Sequence, residues 1–282
     1  NDIRVDRVLF ETTGLADPAP IAQTFINVPF LNEHFILDAV LTVVDSKNFL
    51  YQTAHQPEPA KQVGFADKIF MSKHSLVDET IYAKVVNEVR SINAFAEIQD
   101  LDARPVHMSD MFGLELFYAS EKKILEMQEH AEEEYCEECG HTHAHGDHDH
   151  DHHHHDHDHH DHDHEHEHHD HDHEHHHHHS HSHHSGINSF VIETDKPLVL
   201  ANINEWLNEL VYIYGPELYR YKGILNVEGL DYQIIFQGVQ MSFDISRGRD
   251  WKDTKRGSTL VFIGKNLPEN QLRESFIACT EK

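Results

Sequence analysis

A stretch of 45 residues inside this 282-residue chain cannot build a core. From His141 to Ser185 the only apolar side chain is Ala144, and 27 of the chain's 32 histidines lie there. With no apolar surface to bury, nothing offsets the conformational entropy lost on folding. The tract is therefore expected to be disordered without metal and to separate two folding pieces. Neutral imidazole is a good ligand for Zn²⁺, Co²⁺, Ni²⁺ and Cu²⁺. With a histidine at nearly every second position, many sets of four can reach tetrahedral geometry. The plain alternative is a solvated acidic run, but solubility alone does not call for 27 histidines.

Charge divides the chain in the same way. Glu126 to Ser185 holds 19 acidic residues and no Lys or Arg, within a formal net charge of −28. The remaining residues carry 31 acidic and 22 basic side chains. No basic stripe exists to neutralise phosphates, so nucleic acid is not expected as a partner. No run of about 18 apolar residues is present, so no membrane span is expected. A charged segment leading into an apolar one is also absent, and a cytoplasmic location follows as the expectation.

Three pieces are expected: residues 1–119, 120–185 and 186–282. In the first, "VDRVLF", "FILDAVLTVVD", "ADKIFMSK" and "RPVHMS" read as strands. The second of these is expected to be buried on both faces. "DPAPIAQTF" reads as a helix capped by Asp17, with Pro18 at its first position. In "VDETIYAKVVNEVRSIN", Ile81, Val85, Val89 and Ile92 share one helical face, and "MFGLELFYASEKKILEM" also reads as helical. Strands alternating with helices give an α/β fold with a parallel sheet. The last piece reads as a small α+β domain with a mainly antiparallel sheet. Its strands are "INSFVIET", "YRYKGILNV", "YQIIFQGVQMSFDI" and "STLVFIGK". Its helices are "PLVLANINEWLNELVYIYG" and "PENQLRESFIAC", with "EGLD" as a hairpin turn.

The segment "ETTGLADP" directly follows the first of these apolar runs. In phosphate-binding α/β proteins a carboxylate at a strand's C-terminal end holds Mg²⁺, directly or through water. A glycine three residues later offers its N–H to the terminal phosphate. Glu11 and Gly14 have that spacing; alone, it fits a strand end and a capped helix equally well. "FADKIFMSKHS" resembles the base-recognition segment of GTPases, a strand ending in [NS]-K-x-D. Together, "FETTGLADP", "VLTVVDS", "ADKIFMSK", the His-rich tract, "RYKGILNV", "FQGV" and "LVFIGKNL" resemble the CobW family of P-loop GTPases over nearly the whole chain.

That resemblance implies GTP, Mg²⁺ and zinc (or cobalt) as ligands, and a client metalloprotein as partner. It implies that Glu11 positions Mg²⁺, Gly14 senses the γ-phosphate, and Ser72, Lys73 and Ser75 form the base site. Two departures accompany it. Neither the family's G-x-x-x-x-G-K-[ST] loop nor its C-x-C-C motif occurs in this sequence. Asn1 would then fall inside the GTPase domain, and these residues alone are expected neither to hydrolyse GTP nor to be stabilised by it. The family's base-reading Asp falls at Ser75, and a hydroxyl cannot make a carboxylate's paired acceptance. Losing a charge-assisted hydrogen bond costs about 1.5–3 kcal/mol.

Upstream of the tract, "CEECGHTH" offers Cys136, Cys139, His141 and His143 as a closed zinc site, or simply two reduced cysteines. His145, His148, His150 and His152 begin the looser set of ligands in the tract. The scattered His34, His55, His74, His107 and His130 read as surface or packed residues. Asp45 ends a strand on the side where α/β ligands bind, or caps the turn after it. Trp206 and Cys279 read as core, and Arg220 and Lys222 as exposed strand charges or as an interdomain or partner contact. Three functions fit: a GTP-dependent metallochaperone, a non-enzymatic metal store that needs only the tract and its cysteines, or a partner-binding scaffold that uses the C-terminal domain.

Overall fold

A computed structural model of the chain describes residues 5–14, 16–118, 186–252 and 254–281, and the backbone of 135–136 and 141–142. The chain forms two compact units, Asn1–Glu133 with His183–Lys282, and Glu134–Ser182. In the second unit Tyr135–Cys136 pairs antiparallel with His141–Thr142.

The first unit begins with α1 (Ala19–Asn27) and α2 (Pro29–His34). They are followed by β1 (Leu41–Asp45), α3 (Phe49–His55), α4 (Glu58–Phe65), β2 (Lys68–Ser72), α5 (Glu79–Ile92) and β3 (Glu97–Asp100). The strands form a parallel sheet in the order β1-β2-β3. Being central, β2 buries Ile69, Phe70 and Met71. Asp78 caps α5 by accepting from the Ile81 N–H at 2.8 Å. Val85, Val89 and Ile92 of α5 are fully buried, while Ile81 in its first turn is exposed. The Asp17 carboxylate accepts the Ala19 N–H at the start of α1, as the sequence suggested.

Four local expectations are corrected. The run Val5–Phe10 is not a strand, and Val8, Leu9 and Phe10 are exposed. A strand needs a ladder partner for its backbone groups, and none of the described residues pairs with this run. In "FILDAVLTVVD" only Leu41–Asp45 is a strand; it lies at an edge of the β1-β2-β3 sheet, and Val43 is 64 % exposed rather than buried. "RPVHMS" is a loop rather than a strand. Asp110 organises it by accepting from Arg104 Nη1 and Nη2, each at 3.0 Å, and from the His107 N–H at 2.8 Å. The last parallel strand is the unanticipated "EIQD". The helix expected from Met111 is absent over 111–118, and the rest of that segment, 119–127, lies outside the described residues. Asp38 takes the Gly113 and Glu115 N–H groups on its side chain and the Leu116 and Phe117 N–H groups on its carbonyl. Gly113 and Glu115 adopt positive φ there, which a helix does not allow.

The C-terminal half contains β4 (Ile187–Thr194), α6 (Leu200–Tyr214), β5 (Leu218–Leu225), β6 (Tyr232–Val239), β7 (Ser242–Asp250), β8 (Ser258–Lys265) and α7 (Glu269–Ala278). These strands form an antiparallel sheet in the order β4-β8-β5-β6-β7. The expected long strand from Tyr232 is two strands, because the chain reverses at Gln240, which adopts φ +52°. Ile203, Trp206, Leu207 and Leu210 of α6 pack with Leu272, Phe276 and Cys279 on one face of the sheet.

The other face packs on the parallel half. One core joins Val63, Phe65, Ile69 and Val89 to Ile187, Tyr219, Val239 and Ile263. The Tyr219 ring stacks on Phe65 at 5.1 Å and lies so close to Gly64 that a Cβ there would come within 2.9 Å of it. At the centre is a buried ion cluster. Asp67, just before β2, receives Arg220 Nη2 on Oδ1 at 2.8 Å and Nη1 on Oδ2 at 3.2 Å. Lys222 Nζ reaches Oδ1 at 3.0 Å. The side chains of Asp67 and Arg220 are each 5 % exposed, and that of Lys222 is 7 %. Arg220 and Lys222 are therefore not exposed strand charges: they join the two sheets.

Removing the Asp67 carboxylate takes away the counter-charge that it supplies to two buried cations. Asp67→Asn is expected to destabilise the protein by about 3–5 kcal/mol in urea denaturation at neutral pH. A loss under about 1 kcal/mol would mean that the cluster does not hold the two halves together.

Candidate functional site

The carboxyl ends of parallel strands are where open α/β sheets take ligands. Here those ends carry Asp45 on β1, Ser72 on β2 and Asp100 on β3. The turn after β2 is fixed from several directions. Ser72 Oγ donates to the Val44 carbonyl at 2.9 Å. Lys73 adopts the left-handed conformation, φ 60°, and its Nζ donates to Asp45 Oδ2 at 2.7 Å. Asp45 also accepts from the Lys47 N–H at 3.0 Å and from Asn48 Nδ2 at 2.8 Å. Partial burial pushes its carboxyl up, but the bonds from Lys73, Asn48 and Lys47 hold it below the ordinary carboxylate range. Asp45 thus both caps its turn and anchors Lys73.

His74 is held on three sides. Its Nδ1 lies 2.6 Å from Asp100 Oδ2 and its Nε2 3.2 Å from Glu79 Oε1. Its ring stacks on Tyr82 with centroids 3.6 Å apart and planes 9° from parallel. The hydrogen bond to Asp100 raises the imidazole's pKa, against a small desolvation. Burial, then the charge of Asp100, pushes the Tyr82 phenol well above its ordinary value. The next residue, Ser75, gives its N–H to Asp102 Oδ2 at 2.7 Å. The acids after β3 that organise this turn escaped the sequence reading. The signal available was "QDLD", two carboxylates spaced two apart at a strand end.

The other expected site residues lie apart from this turn. Gly14 is exposed, and its carbonyl accepts from Gln62 Nε2 at 3.1 Å. Glu11 is exposed, outside any helix or strand. No contact among the described residues joins Glu11 or Gly14 to Ser72, Lys73 or Ser75. Cys136, Cys139, His141, His143, His145, His148, His150 and His152 lie outside the residues whose side chains are described. Among the described residues no group of three or more His, Cys, Asp or Glu side chains could hold a metal ion. Cys279 is buried, and burial pushes its thiol up to about 11, so it does not serve as a ready metal ligand.

The His74–Asp100 pair generates a pH signature. The raised pKa of His74 means that its stabilisation is complete below the free value near 6.5 and disappears as pH rises through the folded value. The lowered pKa of Asp100 keeps that carboxylate charged across this window. In urea denaturation His74→Gln is expected to lose more stability at about pH 6 than at about pH 9. A difference between wild type and variant that does not change with pH would refute the ion pair.

Comparison with known proteins fits this division of the chain. Residues 1–100 match the CobW/HypB/UreG nucleotide-binding domain, and residues 187–280 match the cobalamin synthesis protein cobW C-terminal domain. The chain is 27% identical over 275 residues to the zinc chaperone YjiA of Escherichia coli K12, covering 98% of this chain and 71% of that protein. It is 32% identical over 96 residues to the zinc-regulated GTPase metalloprotein activator 1 of Schizosaccharomyces pombe, covering 34% of this chain and 23% of that protein. Its fold matches the crystal structure of Zn(II)-bound YjiA GTPase from E. coli with a TM-score of 0.67 at 24% identity, over 94% of this chain and 68% of that one. With a nucleotide-binding-domain match ahead of the tract and a C-terminal-domain match behind it, the chain belongs to the CobW family.

Proposed function

We propose that these residues serve within a metallochaperone switched by GTP, which hands zinc, or cobalt, to a client metalloprotein in the cytoplasm. The observation that carries this reading is the pinned Ser72–Ser75 turn at the ligand end of the parallel sheet, in a chain that also holds 27 histidines in one tract. Residues 1–119 supply nucleotide contacts, 120–185 collect metal, and 186–282 help recognise the client. The names of the relatives, zinc chaperones among them, support the same assignment.

Lys73 packs its stem against the base, and Gly14 offers its N–H to the terminal phosphate. Mg²⁺ binds through one or two carboxylates together with substrate phosphates and water. Exposed Glu11, which has no partner among the described residues, fits as that carboxylate. The ion would supply charge compensation on the phosphates. Nucleotide binding and loss bias the loops around Gly14 between two arrangements, and the metal passes to the client in that change. Cys136, Cys139, His141 and His143 form the tighter zinc site, because thiolates bind zinc more strongly than imidazoles in a loose chain. His145, His148, His150, His152 and the histidines beyond them hold further ions.

Calorimetry is expected to find several Zn²⁺ per molecule at neutral pH, with binding falling steeply below about pH 6.5 as the imidazoles protonate. No more than one Zn²⁺ per chain would sink the collecting role of the tract. Replacing both Cys136 and Cys139 with Ser should abolish the tightest class and leave the weaker ones.

A further inference from the structure

The base-recognition turn is supplied with an acid that its own sequence lacks. The segment Ser72-Lys73-His74-Ser75 ends in a hydroxyl, where the [NS]-K-x-D pattern ends in a carboxylate. The loop after β3 brings one to the same residue. Asp102 Oδ2 accepts the Ser75 N–H at 2.7 Å, and the Ser75 side chain also hydrogen-bonds this carboxylate. Those two bonds hold the Asp102 carboxyl below the ordinary range, so it is ionised at neutral pH. A carboxylate offers about four lone-pair positions, and Asp102 stays exposed with acceptor capacity beyond its bonds to Ser75.

The neighbouring acids are committed elsewhere. Asp45 serves Lys47, Asn48 and Lys73. Asp100 takes His74, Tyr82 and the Asp102 N–H. Asp78 caps α5, and Glu79 faces His74. We infer that Asp102, carried by a different loop from Ser75, is the carboxylate that reads the nucleotide base, and that this base is guanine. Guanine presents two adjacent donors, the ring N1–H and the 2-amino group, and both suit an ionised acceptor. Adenine presents a lone pair at N1 and xanthine a carbonyl at C2, and a carboxylate repels each. The inference rests on the nucleotide-binding reading above and specifies its selectivity.

Asp102→Asn tests it. The amide keeps an oxygen for the Ser75 N–H and replaces one acceptor with a donor, which suits the C2 carbonyl of xanthine. Chemical shifts of the backbone amides of residues 72–75 and 102 are followed in the ¹⁵N-labelled chain. Guanosine 5′-monophosphate and xanthosine 5′-monophosphate are added up to about millimolar concentrations, where base contacts alone register. In the wild type, guanosine monophosphate is expected to act at about tenfold lower concentration than the xanthosine compound. In Asp102→Asn the order is expected to reverse, and in Asp102→Ala the guanine response should be lost with no gain for xanthine. A loop tether whose loss only loosens the turn would not create xanthine binding. Preference for guanine surviving in both variants overturns the inference and leaves the nucleotide site standing. No response of residues 72–75 in the wild type to either nucleotide removes that site and the inference with it.

Discussion

One buried carboxylate, that of Asp67, is the point on which the two sheets meet. It precedes β2 by one residue and accepts the Val40 N–H ahead of β1 at 2.9 Å. From the antiparallel sheet it receives Arg220 and Lys222. Each buried ion costs several kcal/mol to desolvate, so its polar groups need partners. Main-chain oxygens supply some of them: Arg220 Nη2 donates to the Phe117 carbonyl and Lys222 Nζ to that of Leu116. The Arg220 guanidinium also lies 4.2 Å from the centre of the Phe117 ring. Those two residues stand where they do because Asp38 holds their N–H groups. Asp67 and Asp38 therefore decide how the halves fit.

This explains which parts of the fold could be read from the sequence. Elements whose own residues determine them were legible: α5 from its apolar face, β2 from its apolar run, and the Leu218–Val239 hairpin from its turn. Segments decided by a distant side chain were not. "MFGLELFY" carries helix-forming residues, yet its N–H groups are drawn to Asp38, some 75 residues away. "RPVHMS" has the composition of a strand, but Asp110 gathers it into a loop. For Arg220 and Lys222 exposed strand charges were the commoner expectation, and the interdomain contact was the alternative that holds. Their neighbours Leu218, Tyr219, Tyr221 and Ile224 made a strand apolar on both faces, and a strand buried on both faces has to bury its charges too. The turn after β2 depends on a residue distant in sequence in the same way: Asp102 reaches Ser75 only because β3 lies beside β2.

The segment carrying Glu11 and Gly14 is joined to the antiparallel half through α4 and α1. Gln62 on α4 donates to the Gly14 and Ala16 carbonyls at 3.1 and 3.0 Å. Its neighbour Lys61 pairs with Asp17, the residue that caps α1, and lies over the Tyr219 ring of β5. Farther along α1, Gln23 donates to Gln240 at 3.1 Å and Asn27 to Ser242 at 2.7 Å, both at the β6–β7 turn. A ligand can move such an assembly only by binding one arrangement more tightly than the other. A phosphate that draws the Gly14 N–H toward itself competes with the two Gln62 bonds, which fix the present loop. If those bonds give way, Asp17, Lys61 and α1 lose part of what holds them. The Asp67 cluster, buried and made of three ionised side chains, resists movement far more than these polar contacts do. Motion started at Gly14 would therefore be expressed at the β6–β7 turn, while the two sheets stay clamped at their centre.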